Sequence, residues 1–139
     1  MKFRRKRSQF MAAGLVLLLV SACASLEGIV FKSPCLEIVG GGAVHGDGAY
    51  SIGVLTIKTG PPPCTQIGHV NIKYGFDDNG DGELSPDEVD HDLNDSTPGD
   101  SVTFGALSGP LPNSGGSVIR EITVTDTSGN SIYTGSSSA

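Results

Sequence analysis

The sequence predicts an all-β fold, a small antiparallel β-sandwich. Its apolar segments are short, alternate with period two and are rich in β-branched residues, which is typical of strands. Twenty glycines and eight prolines supply turn chemistry between those segments, and there is no tryptophan. A length of 139 residues indicates a single domain.

The strands follow from the alternation, taken in order along the chain. Tyr50, Ile52 and Val54 share one face of a predicted strand, and Val70, Ile72, Tyr74 and Phe76 share one face of another. Glycine- and proline-rich turns separate the strands. About six short strands in about 100 residues favour two packed antiparallel sheets. The predicted strands lie near residues 36–39, 49–58, 68–76, 102–106, 118–125 and 131–134.

The last of these hairpins carries a family likeness. The run from Arg120 to Asp126, followed by Gly129-Asn130, resembles the final hairpin of immunoglobulin-like bacterial surface modules. The resemblance implies that the sandwich is immunoglobulin-like.

The first 22 residues have the organisation of a secretory signal. Five of the nine basic groups fall between Met1 and Phe10, and an apolar run extends from Met11 to Ala22. Twelve apolar residues are too few for a transmembrane helix, which needs about 20. No later segment is more apolar, so the sequence argues against a transmembrane protein.

The residues Val20-Ser21-Ala22-Cys23 resemble the lipobox of bacterial lipoproteins. The resemblance implies that Cys23 is lipidated and becomes the first residue, holding the protein on a membrane. Ala24, in place of an aspartate that can retain lipoproteins in the inner membrane, favours the outer membrane or cell surface. The alternative is an ordinary cut after Ala22, which leaves Cys23 as a free thiol.

The expected domain organisation has four parts. Residues 1–22 are the signal peptide, 23–34 a lipidated tether, 35–134 the sandwich domain and 135–139 a mobile tail.

Removal of residues 1–22 leaves a strongly acidic chain. Four basic groups then face 15 acidic ones, a net charge of −11. Nucleic acid is therefore a poor partner, because no basic stripe is present to neutralise phosphates. A cation is a plausible one, since seven acids fall between Asp77 and Asp90.

Cys35 and Cys64 remain as an even pair in an exported chain, which favours a disulfide. Closing a loop of about 30 residues stabilises the fold by about 3.5 kcal/mol in the chain-entropy model. The alternative is a metal or redox pair, which calls for a C-x-x-C spacing or nearby histidines that neither cysteine has.

The segment 77–88, DDNGDGELSPDE, is similar to the EF-hand calcium loop at every diagnostic position. The similarity implies that side-chain oxygens, the seventh-position carbonyl and a twelfth-position carboxylate bind one calcium ion, with Gly82 at the sharp turn. The alternative is an acidic Asn-Gly/Asp-Gly hairpin without metal. The implied ligands are Asp77, Asn79, Asp81, Glu83, Ser85 and Glu88.

The flanks of this loop depart from the EF-hand family. A strand, rather than a helix, is expected to lead in, with Gly75 two residues before the loop. Ser85-Pro86-Asp87-Glu88 has the spacing of a capped helix start, so a short exit helix is expected through about Leu93. With no second loop to pair with, a calmodulin-like opening is not expected, and the ion is expected to be structural.

The sequence therefore favours a lipid-anchored, calcium-binding protein of the bacterial cell envelope that is not an enzyme, with an envelope protein or polysaccharide as partner. One alternative is a small exported hydrolase that uses His45 and Asp47. The other is a carbohydrate-binding module, for which the available stacking rings are Tyr50, Tyr74 and Tyr133.

Overall fold

A computed structural model describes residues 28–112 and 116–139 of the chain. The predicted signal peptide and Cys23 lie outside the described residues. The described part holds eleven strands and one 3-10 helix: β1 (Ile29–Ser33), β2 (Leu36–Gly40), β3 (Ala43–His45), β4 (Ala49–Ile52), β5 (Leu55–Thr59), β6 (Ile67–Phe76), the 3-10 helix Pro86–Glu88, β7 (Val89–Asp95), β8 (Ser101–Phe104), β9 (Leu107–Pro110), β10 (Val118–Asp126) and β11 (Ser131–Ser138).

The strands form three antiparallel sheets, so the predicted all-β antiparallel fold is confirmed. One four-stranded sheet has the order β1-β2-β5-β8, and a second has the order β11-β10-β6-β7. A third sheet, of order β3-β4-β9, was not predicted. None of the helices in the described residues is long and apolar enough to cross a membrane.

One apolar core joins all three sheets, because the period-two alternation places every second side chain inward. Ile38 and Ile57 come from the first sheet, Ile72 and Ile122 from the second, and Tyr50 from the third. All five are at most 1% exposed. Ile72 lies opposite Ile122 in the β6–β10 register, so the core of the second sheet is built from facing pairs.

The predicted disulfide is confirmed. Cys35 and Cys64 are bonded, with Cα atoms 5.3 Å apart. Cys35 lies in the turn between β1 and β2, and Cys64 lies between β5 and β6. The bond therefore ties the edge hairpin of the first sheet to the connection that leads into the second.

Two expectations about the chain ends were wrong. Residues 29–33, placed in the tether, form β1, which pairs with β2. Residues 135–138, placed in the tail, lie in β11 and pair with β10 as far as Ile119–Ser138. The serine-rich composition hid this strand, because its stability comes from backbone hydrogen bonds to β10 rather than from its own side chains.

The single strand expected near 49–58 is two strands in different sheets. β4 pairs with β3 and β9, whereas β5 pairs with β2 and β8. The backbones of Gly53 and Val54 instead bond to Gly42 and Gly41 at the point where the chain changes sheets. Val54 is consequently 51% exposed. The expectation that it shares the buried face of Tyr50 and Ile52 was wrong.

Candidate metal centre

The acidic loop connects β6 to β7, two neighbouring strands of the second sheet. A strand leads into the loop, as predicted. The first residue of the loop, Asp77, extends the β6–β10 pairing by one bond. Its N–H donates to the carbonyl of Ser117, the residue before β10, at 2.8 Å. The start of the loop is therefore fixed by the sheet.

Three of the predicted ligands converge. Carboxylate oxygens of Asp77, Asp81 and Glu88 all lie within 4.8 Å of one another. Asp77 is 4% exposed and Glu88 is 7% exposed, whereas Asp81 faces solvent. The first and last residues of the loop thus close a small, oxygen-lined site whose outer side is formed by Asp81.

Short-range hydrogen bonds hold the first half of the loop in this shape. Asp77 accepts from the Gly80 N–H at 3.1 Å and from the Gly82 N–H at 2.8 Å. The Asn79 side-chain oxygen accepts from the Asp81 N–H at 3.1 Å. Gly80 and Gly82 have φ of 73° and 79°, a left-handed conformation that favours glycine. The glycines let the chain turn around the Asp77 carboxylate.

Glu88 closes the loop from the other end. Its Oε1 accepts from the Ser85 N–H at 2.9 Å and lies 2.6 Å from the Ser85 hydroxyl. Its Oε2 accepts from the Asp78 N–H at 2.5 Å and, at 3.4 Å, from Asn79. These bonds, those from Ser85 above all, lower the pKa of Glu88 to about 2. Glu88 is therefore a carboxylate at neutral pH.

The remaining predicted ligands lie on the loop between these ends. The Glu83 N–H donates to Asp81 Oδ1 at 3.0 Å, and the Glu83 side chain is exposed, consistent with a role for its carbonyl only. The Ser85 hydroxyl also lies 2.8 Å from Asp87 Oδ1. All six predicted ligands thus belong to one hydrogen-bonded loop, and three of them supply the converging carboxylates.

Two contacts to this loop were missed by the sequence reasoning. Leu84 N–H lies 3.4 Å from Glu121 Oε1 on β10, a residue 37 positions away. A Cβ on Gly75 would overlap the Glu88 carbonyl and would lie 3.0 Å from Leu84 Cδ2. The loop therefore folds back over Gly75, and only the pairing of β6 with β10 brings Glu121 beside it.

The expected exit helix through about Leu93 was wrong. Only one turn, the 3-10 helix Pro86–Glu88, follows Ser85, and the chain then enters β7. The residues of β7 alternate between half-buried and exposed, and Leu93 pairs opposite Ile72 at the core. Pairing with the free edge of β6 therefore prevails over the local helix-start signal, and the loop is a strand-loop-strand connection.

The donor set fits a hard cation. Every candidate ligand atom is an oxygen, which suits calcium, whereas zinc and copper prefer nitrogen or sulfur. Within residues 28–112 and 116–139, no basic side chain forms an ion pair with Asp77, Asp81 or Glu88. Three carboxylates this close repel one another, and a bound cation would offset that repulsion.

The residues of the alternative functions are separate from this loop. His45 ends β3 and Asp47 lies in the following turn, and both are exposed. Tyr50 and Tyr74 are at most 1% exposed, so they are core residues. Tyr133 is half-buried with its ring 4.7 Å from that of Phe31.

Comparisons with protein-family models, with curated proteins and with solved structures found no match to this chain.

Proposed function

We propose that this chain is a lipid-anchored protein of the bacterial cell envelope whose β domain binds one calcium ion through the loop 77–88, in a structural or binding role. The observation that carries the proposal is the convergence of the Asp77, Asp81 and Glu88 carboxylates within 4.8 Å. Asp77 and Glu88 are the first and twelfth positions of the EF-hand-like pattern, and both are buried.

Calcium suits this loop better than other common cations. Calcium takes six to eight oxygens with flexible geometry, and the loop offers carboxylates, an amide oxygen, a hydroxyl and backbone carbonyls. Magnesium is smaller and usually keeps several waters rather than accept a cage made entirely of protein. Extracellular EF-hand modules bind calcium with dissociation constants of about 10⁻⁴ to 10⁻³ M, and we expect the same range for this loop.

A structural role is favoured over a switch. Both ends of the loop are fixed in one sheet, since β6 and β7 pair with each other from Val70 opposite Asp95 to Gly75 opposite Val89. In the part of the chain that the structure describes, the loop has no flanking amphipathic helices that could open to expose a groove. Calcium would instead order the connection between β6 and β7 and neutralise its three carboxylates, next to β7 at the edge of the second sheet.

The lipid anchor is supported by the sequence around Cys23. The disulfide between Cys35 and Cys64 suits an oxidising compartment outside the cytosol, in agreement with export. With the two other cysteines paired, Cys23 is available for acylation.

Calorimetric titration with calcium, and separately with magnesium, tests the metal site. Wild type should release binding heat with calcium, and Asp77→Asn and Glu88→Gln should weaken binding at least tenfold. Asp47→Asn is the matched control, because this exposed aspartate lies in a different turn. Equal heats for wild type, Asp77→Asn and Glu88→Gln would refute the calcium site.

Mass spectrometry of the membrane fraction tests the anchor. Wild type should carry acyl mass on Cys23, and Cys23→Ser should lose that mass and move to the soluble fraction. Retention of Cys23→Ser in the membrane fraction would contradict lipid anchoring.

A further inference from the structure

The large apolar side chains most exposed in the described residues lie at one corner of the domain. They are Ile29, Val44 and Val54, at 60%, 71% and 51% exposure. Single exposed apolar residues are ordinary on protein surfaces, whereas a cluster indicates a contact. The positions of these three side chains relative to one another therefore decide whether they are single exposed residues or a cluster.

Backbone hydrogen bonds bring the three segments together around the glycine run 40–42. Gly40 N–H donates to Gly28 O at 3.1 Å, next to Ile29. Gly41 N–H donates to Val54 O at 3.0 Å, and Gly53 N–H donates to Gly42 O at 3.0 Å. Ile29, Val44 and Val54 thus flank one junction, which we call the apolar corner.

The apolar corner contains a shallow groove. Its volume is about 580 Å³, and it is lined by residues 40–44 and 51–54. The lining has no charged side chain, and the neighbouring stretches 28–31, 38–44 and 49–57 contain no Asp, Glu, Lys or Arg. Beneath the groove, the buried guanidinium of Arg120 donates to the Gly41 carbonyl at 2.8 Å. In a mature chain of net charge −11, these stretches therefore present no acidic side chain.

The length of chain before Gly28 indicates what this corner meets. Cys23 and Gly28 are five residue steps apart, with four residues between them, and five steps span at most about 17 Å when the chain is fully extended. Because Gly28 is bonded to Gly40 on the groove wall, a membrane that holds acyl chains of Cys23 lies within about 17 Å of the apolar corner.

We propose that the apolar corner is a membrane-contact surface, with Ile29, Val44 and Val54 in the interfacial region of the bilayer that holds Cys23. This inference rests on the lipid anchor of the proposed function. Transfer of apolar side chains from water into the interfacial region is favourable. A corner without acidic side chains also approaches lipid without the repulsion that an acidic surface has from anionic headgroups. The anchor and the corner together fix the orientation of the domain on the membrane.

Nitroxide labels on the full-length, lipidated protein test the orientation. Val44→Cys and Val54→Cys are labelled separately in vesicles of phosphatidylethanolamine and phosphatidylglycerol. Ser101→Cys is the matched control, because Ser101 is an exposed residue of β8. It pairs with Lys58 near the end of β5 that is farther from Val54. The measured quantity is the ratio of nitroxide collision rates with oxygen and with a water-soluble nickel complex.

We expect this collision ratio to be at least threefold higher at positions 44 and 54 than at position 101. Equal ratios at all three positions, in protein shown by mass spectrometry to be acylated, would overturn the membrane-contact surface and leave the anchor intact. Absence of acyl mass would overturn the anchor itself. Spin–spin broadening at position 54 that disappears on dilution with lipid would show a second copy on the corner, and would also overturn the proposal.

Discussion

The Tyr50 hydroxyl donates a 2.7 Å hydrogen bond to Asp90 Oδ2, across 40 positions of sequence. Tyr50 belongs to β4 of the third sheet, and Asp90 follows Glu88 by two residues on β7. The bond therefore joins the small third sheet to the strand that leaves the candidate calcium loop.

Loss of this hydroxyl should destabilise the domain modestly. We expect Tyr50→Phe to lower the free energy of unfolding by about 1 kcal/mol, since Asp90 is exposed and water replaces its lost partner. Urea unfolding of Tyr50→Phe, Asp90→Ala and the double variant measures the coupling between the two side chains. Strictly additive effects would show that the bond contributes nothing to stability.

Tyr50 and Tyr74 should resist ionisation at alkaline pH while the domain stays folded. Burial, with the Asp90 carboxylate beside it, raises the pKa of Tyr50 above the usual range, and burial also raises the pKa of Tyr74. Both groups bind their protons more tightly in the folded state, so their contribution to stability is complete below pH of about 10 and is lost as the pH rises further. Spectrophotometric titration should show tyrosinate from these two residues only as the protein unfolds.

Tyr50→Phe is the control for the alkaline titration, because it should remove one of the two delayed ionisations. Reversible ionisation of Tyr50 and Tyr74 near pH 10, without unfolding, would contradict their burial.

Gly75 should be intolerant of a side chain. The Cβ of Gly75→Ala would overlap the Glu88 carbonyl, so we expect β7 to shift, stability to fall by about 1–3 kcal/mol and calcium affinity to fall as well. Gly105→Ala is the matched control, since a Cβ there meets open space. Chemical unfolding and calcium titration measure the two effects, and equal behaviour of both variants would refute the close approach at Gly75.

Calcium should stabilise the fold by mass action. At tenfold excess of free calcium over its dissociation constant, the free energy of unfolding should rise by about 1.4 kcal/mol, and chelation should reverse the increase. Urea unfolding with and without calcium checks this. An identical shift in Asp77→Asn would assign the stabilisation to a different site.

Reduction of the Cys35–Cys64 bond should destabilise the domain by about 3.5 kcal/mol, the chain-entropy value for its loop. Cys35 is exposed, so the bond is accessible to reductant. Unfolding of the Cys35→Ser/Cys64→Ser double variant should match that of reduced wild type. A double variant as stable as oxidised wild type would contradict a stabilising role.

The sequence alone was sufficient for features that depend on local spacing. Period-two alternation identified β6 and β10, because these strands of ten and nine residues bury one face. The disulfide was predicted from the two cysteines that remain once Cys23 is assigned to the lipid anchor. The spacing of Asp77, Asp81 and Glu88 also predicted their convergence, since a twelve-residue loop with glycines at its turns closes on itself with few long-range contacts.

Tertiary structure decided the features that depend on which strands pair. The sequence could not show that β7 replaces the expected helix, because the free edge of β6 becomes available only when the second sheet assembles. It could not place Glu121 at Leu84, Asp90 at Tyr50 or Val54 beside Gly41, since each contact joins segments that the sheet order brings together. Local preference is worth a few tenths of a kcal/mol per residue, and pairing and burial outweigh it wherever the two disagree.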